Sequence, residues 1–312
     1  MTATTPTNDG QTQTFGFLLL LELALAMLFL TVGLYKSHFG YASSTEDDEH
    51  RASIPRQAGA PPANLKPVRS LETPWQVPGS NGVSEQLSRA IFDLTNRERE
   101  RKNLAPFQWE PGLAVAAVYH GEDMDRRGFF DHINPDDVGP AYRVAKLHRR
   151  FIGSTGENIA LIRRLDGPIA AWAEEFVTGW MNSTGHRENI LRPSFTHLGV
   201  GCFRKTEQDG TVTIYATQVF GGLCGYTKND VPLGVTPGQT LQLAADAENP
   251  EFTGVAAAAM LNLADNQTVT PSAGLTLKAP SRPGVYQLLF HFPLKNNPNV
   301  YTIARGPLFT VK

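Results

Sequence analysis

The chain is poor in cysteine: 312 residues carry only Cys202 and Cys224. Two cysteines are too few for a disulfide framework, and a single bridge in an oxidising compartment and two buried thiols stay equally open. Surplus charge is also missing. Against 28 Lys and Arg stand 30 Asp and Glu, a formal net charge of -2, which removes the electrostatic drive towards nucleic acid. No H-x-x-x-H or C-x-x-C spacing occurs, so no local metal or redox motif is present. The first 14 residues contain neither Lys nor Arg. A cleaved signal peptide needs a basic start, a shorter apolar core and a small-x-small cleavage site, and none is visible.

Present instead is one long apolar run, residues 15–35, after a polar tail at 1–14. A bilayer-crossing helix needs about 20 such residues, so the run reads as an uncleaved single-pass anchor, with Tyr35, Lys36 and His38 as its interfacial flank. Glu22 lies inside it. An intramembrane carboxylate is costly without a partner, so Glu22 either snorkels to the near interface or contacts another transmembrane helix of a membrane complex. Lys36, Arg51 and Arg56 follow the run and alone would keep the large part of the chain inside, although long domains translocate regardless of flanking charge.

Residues 36–82 show no amphipathic period. Glu46-Asp47-Asp48-Glu49 precedes Pro55, Pro61, Pro62, Pro67, Pro74 and Pro78, the composition of an extended linker or of a segment that orders against a partner. From 83 the pattern becomes helical, with Leu87, Ala90, Ile91 and Leu94 at helical spacing behind Ser84. A second helix follows Pro111-Gly112, carries Leu113, Ala116, Ala117, His120 and Met124, and stops at Gly128. Shorter helices are expected from Pro140 and Pro168, the latter with Trp172, Phe176 and Trp180 inward. Residues 196–203 and 211–220 read as two strands around Gln208-Asp209-Gly210. Helices on both sides of a small antiparallel sheet give an α+β domain over 83–225. From 226 to 312 short strand-like runs alternate with Pro, Gly and Asn turns, the texture of a β-sandwich-like domain, with 255–263 ambiguous between helix and strand.

Several motifs in the middle region occur in a fixed order: Leu94-Thr95-Asn96 with Arg99, Phe130-Asp131-His132, Gly156-Glu157-Asn158-Ile159-Ala160, the block from Trp180 to Leu191, Thr196-His197-Leu198-Gly199-Val200-Gly201, and Tyr215-Ala216-Thr217-Gln218. In that order they resemble the CAP superfamily (cysteine-rich secretory proteins, antigen 5 and pathogenesis-related proteins), and most of all its bacterial SCP-like extracellular branch. The resemblance covers about 140 residues, close to a full domain. It implies an α-β-α sandwich with a cleft that gathers two histidines and two glutamates, and it implies export, so the large C-terminal part is expected to be periplasmic or extracellular. Carried over by motif, His132 is the first histidine, Glu157 the first glutamate and His186 the second histidine. Where the other glutamate belongs the chain reads Asn182-Ser183, so the tetrad is incomplete.

Two imidazoles, His132 and His186, with a carboxylate and a water would suit zinc with an open position, and Glu157 would then serve as general base. The alternative is that both histidines pin loops around Glu157. Ser183 near His186 is a short-range Ser/His pair without a visible orienting group. Three functions follow: a membrane-tethered binding or structural module, with a protein or lipid as partner; a metal-assisted hydrolase of peptide, peptidoglycan or ester; and an accessory subunit of a membrane complex held through Glu22 and the linker. The incomplete tetrad favours the first and third.

Overall fold

In the computed structural model residues 39–45 and 82–312 are described, with side chains left out at 39–45 and 270–273. The apolar run, Glu22 and most of the linker lie outside the described residues. Among the described residues no helix is long and apolar enough to cross a membrane.

Strand β1 is Phe39–Thr45. Helix α1, Gly82–Glu100, buries Ser84, Leu87, Ser88, Ile91 and Thr95 along one stripe, the face the sequence marks as apolar. Strand β2, Gln108–Trp109, leads into helix α2, Pro111–Arg127. Glu110 caps α2 by accepting from the Gly112 amide, Pro111 fills the first turn, and Gly128 ends the helix in the left-handed region at φ 69°, where a side chain would be strained. Helix α3, Pro140–Leu147, precedes strand β3, Phe151–Leu165. Helices α4, Ile169–Asn182, and α5, Thr184–Leu191, follow, then the hairpin of β4, His197–Thr206, and β5, Thr211–Thr227. The turn between these strands holds Gly210 at φ 79°.

Strand β5 pairs antiparallel with β3 along its whole length and with β4 on its other side, while β2 joins β4 in parallel. The alternation of β4 fixes the layers. A Cβ on Gly199 would stand 2.1 Å from the Ala114 nitrogen and one on Gly201 2.3 Å from that of Val118. These glycines therefore let the α2 backbone rest directly on the sheet. Cys202, on the same strand but the opposite face, lies against Ser88 of α1. Helices thus cover both faces, as the alternation of helix and strand signals implies. Cys202 and Cys224 are both buried and are not joined in a disulfide, so of the two alternatives the structure has the thiols.

Beyond Thr227 lie β6 (Gly234–Val235), β7 (Thr240–Gln242), β8 (Ala245–Ala247), β9 (Ala257–Asn262), β10 (Thr268–Ala273), β11 (Thr276–Lys278), β12 (Gly284–Leu294) and β13 (Asn297–Val311). They form a five-stranded sheet in the order β10-β9-β12-β13-β6 and a two-stranded pair β11-β7, while β8 adds to β5. The ambiguous stretch at 255–263 is strand over Ala257–Asn262. Strand β13 is continuous from Asn297 to Val311, longer than the short runs the sequence suggests, because Gly306-Pro307 is accommodated as a bulge between the pairs Leu289↔Arg305 and Gln287↔Leu308. The core of this region includes Ile152 of β3 and Cys224 of β5, and the described residues from 82 to 312 belong to one compact unit.

Candidate functional site

Glu157 sits in the middle of β3, opposite Val219 of β5, with 0% of its surface exposed. A bare carboxylate there would be prohibitively desolvated. Arg143 of α3 answers it: Nη2 donates to both carboxylate oxygens at 2.9 and 2.8 Å, while Nη1 donates to the His132 and Val138 carbonyls. His132 Nδ1 donates to Oε1 at 2.8 Å. His120 of α2 brings Nε2 to 3.7 Å from the same oxygen and donates it to the Asp131 carbonyl at 3.0 Å. Burial raises the Glu157 pKa, but Arg143 first, then His120 and His132, outweigh it and hold the acid well below its usual range. Burial pushes His120 down from 6.5 to about 4 against the pull of Glu157. His120 is therefore neutral at physiological pH, and Arg143 is the cation that balances Glu157.

The amide residues around the acid form a second layer. Asn189 donates to the Glu157 carbonyl and to Asn158 Oδ1; Asn158 donates to the His186 carbonyl and to Gln218; Gln218 donates to Thr95, whose hydroxyl reaches the Ile91 carbonyl. This buried chain crosses from α5 through β3 and β5 to α1. Arg99, 2% exposed, collects the carbonyls of Ala105, Ile190, Arg192 and Phe195 and lies 3.8 Å over the Phe107 ring. The motif residues of these segments are thus hydrogen-bonded struts.

Residues 92–220 match the family model of CAP, the cysteine-rich secretory protein family. This region is a CAP domain. YkwD, an uncharacterized protein of Bacillus subtilis (strain 168), is 38% identical over 139 residues, covering 45% of this chain and 51% of YkwD. YlbC, an uncharacterized membrane protein of the same strain, is 39% identical over 141 residues, covering 45% of this chain and 37% of YlbC. The chain thus spans about half the length of one curated relative and less of the other. An extracellular protein containing a SCP domain from Bacillus anthracis str. Ames, known from a crystal structure, is 33% identical over 44% of this chain and 41% of that chain, with a TM-score of 0.35.

Of the residues the sequence assigns to the CAP cleft, His132 meets Glu157 directly. His186 is buried on α5, and its carbonyl is tied to Asn158, the neighbour of Glu157. Ser183 precedes α5 and donates its amide to the Trp180 carbonyl, an ordinary helix-junction contact. The acids of α4 upstream of Asn182-Ser183 were not assigned to the cleft: Glu175 pairs with Arg164 at 2.8 Å, and Glu174 is exposed. Neither Arg143 nor the role of His120 was read from the sequence. The available signal was an arginine on α3 among the buried residues Ala141, Val144 and Leu147, a position that burial permits only with a counter-charge.

Zinc, one of the two alternatives the sequence leaves open for His132 and His186, does not suit this donor set. Among the described residues no group of three or more His, Cys, Asp and Glu is placed to hold a metal ion. Both oxygens of Glu157 already accept from a guanidinium, and a dication beside Arg143 would meet like charge at short range.

A second buried cluster closes the far end of α2. His148 Nε2 meets Glu110 Oε1 at 2.9 Å, and Tyr226 donates its hydroxyl to Glu110 Oε2. Burial opposes ionisation of Glu110, but the His148 contact, Tyr226 and the Gly112 amide bring its pKa down to about 2. His148 also stacks on Tyr226, so this acid fixes the helix start against β5.

Proposed function

We propose that this chain is a single-pass membrane-anchored protein whose CAP domain lies outside the cytoplasm and acts by binding or bracing a partner, as an accessory subunit of a membrane complex. The observation that carries the reading is the closure of Glu157 by Arg143. A carboxylate that is fully buried, hydrogen-bonded to His132 and held ionised by a guanidinium on both oxygens is a weak base shut off from solvent, which is the opposite of what a general base needs. The metal-assisted hydrolase is disfavoured for the same reason. Residues 15–35 have the length and composition of the anchor, and Glu22 is the proposed contact with the complex. YlbC, a relative described as a membrane protein, and the extracellular SCP-domain protein support this placement. Neither a nucleic-acid partner nor a metal cofactor belongs to the reading.

The test is purification of the full chain in mild detergent, with metal analysis and identification of co-purifying proteins. The expected result is substoichiometric zinc, unchanged by His132→Ala, and a partner lost on Glu22→Leu. One zinc per chain that disappears with His132→Ala, together with peptide or ester hydrolysis, would overturn it. Protease treatment of intact cells stripped of any outer envelope tests the topology: cleavage of the CAP domain is expected, and protection would place it inside.

A further inference from the structure

Three residues, 36–38, separate the apolar run at 15–35 from strand β1, Phe39–Thr45. Strand β1 is hydrogen-bonded into the CAP sheet as its edge strand beside β3, in the order β1-β3-β5-β4-β2. It contains no proline, so all its amides are available to the ladder. Among the described residues the next element is α1, from Gly82, which packs on the same sheet. Both ends of residues 46–81 are thus fastened to one domain, Thr45 through β1 and Gly82 through α1.

Chain length then sets the reach. Four backbone steps join residue 35 to residue 39, and an extended chain gains at most about 3.6 Å per residue, so β1 starts within about 14 Å of the end of the run. The headgroup layer on each side of a bilayer is itself about 5–8 Å thick. A tether running from 35 to 82 would by the same arithmetic reach about 170 Å.

We infer that β1, and not the proline-rich stretch after it, holds the CAP domain to the membrane. This rests on the anchor proposed above and deepens it. The β1 edge of the sheet lies at the lipid headgroups, and residues 46–81 close on the domain rather than space it from the bilayer. The partner is therefore close at hand: it is the outer, membrane-proximal surface of an integral membrane protein, and a target about 100 Å or more from the bilayer is out of reach. Strand β3, which carries Glu157, is the direct neighbour of the anchored strand.

The experiment uses the full chain in phosphatidylcholine vesicles, with a protease recognition site inserted after Ser37 or after Gly59. Cleavage after Ser37 cuts before β1 and should release the domain to the supernatant. Cleavage after Gly59 should leave it with the vesicles, because β1 stays on the anchored fragment and stays paired with β3; urea should then release it. Adding Ala42→Pro and Ser43→Pro to the Gly59 chain removes a ladder donor whichever amide faces β3, and should lower the retained fraction about tenfold. Near-ultraviolet circular dichroism of that variant, matching the parent, separates release from unfolding. Release on cleavage after Gly59, with the uncut chain still in the vesicles, overturns the inference and leaves the anchor standing. An uncut chain that an alkaline wash extracts overturns the anchor and the inference with it. Retention after the Ser37 cut, or in the proline variant, means that another surface binds and also overturns it.

Discussion

Arg143 Nη2 stands 2.9 and 2.8 Å from the two carboxylate oxygens of Glu157, and both residues are buried. Removing the cation strands the acid. Arg143→Met should lower stability by about 3–5 kcal/mol, read as a shift in the denaturant midpoint. Adding Glu157→Gln should return a large part of that loss, because the remaining amide needs hydrogen bonds but no counter-charge. Equal loss in the single and double variants would show that the two side chains act independently.

Acid should lower the stability of the domain over two successive pH ranges. His120 is held neutral, its pKa pushed by burial from 6.5 to about 4. The unfolded chain takes up that proton first, so stability falls between those two values. Glu110 and Glu157 are held below their usual 4.5. Their contributions are complete above that value and are lost below it, for Glu110 down to about 2. Stability measured against pH should therefore begin to fall near 6.5 and steepen below 4.5, and His120→Asn should remove the upper part of the decline.

Arg99 gathers four carbonyls from the segments before β2 and after α5. Arg99→Met should cost about 3 kcal/mol or more, because buried acceptors lose their donors. Arg99→Lys should recover little, since an ammonium lacks the planar fork. Thermal unfolding of the two variants checks this.

Gly199→Ala should be among the most damaging small substitutions. The added methyl would lie 2.1 Å from the Ala114 nitrogen and 2.3 Å from the Leu113 carbonyl carbon, so α2 must lift from the sheet. Overpacking of this kind costs about 1–3 kcal/mol. Gly210→Ala, in an open turn at φ 79°, should cost less. Equal midpoints for the two variants would contradict the close approach of α2.

The helices were legible because Leu87 and Ile91 on α1, and Leu113, Ala116 and Ala117 on α2, keep helical spacing, and because Pro111, Pro140 and Gly128 stand at helix ends. Strand β3 escaped notice. It is buried on both faces for most of its length, so no alternation marks it, and Gly153, Gly156, Glu157 and Asn158 give it the composition of a loop. The pairing of His132 with Glu157 could be expected from motif order. Arg143 could not, because α3 is short and its partner lies 14 residues away on that unread strand. Gly306-Pro307 resembles a strand break, but β13 absorbs it as a bulge.

Ile152 and Cys224 belong to the CAP sheet and also pack into the apolar interior formed by Leu288, Phe290 and Phe309. Arg149 adds donors to the Leu308 and Val231 carbonyls. A fragment cut after residue 225 would therefore expose a raw oily wall. Heat or mechanical load should melt both halves in one event rather than peel them apart in turn.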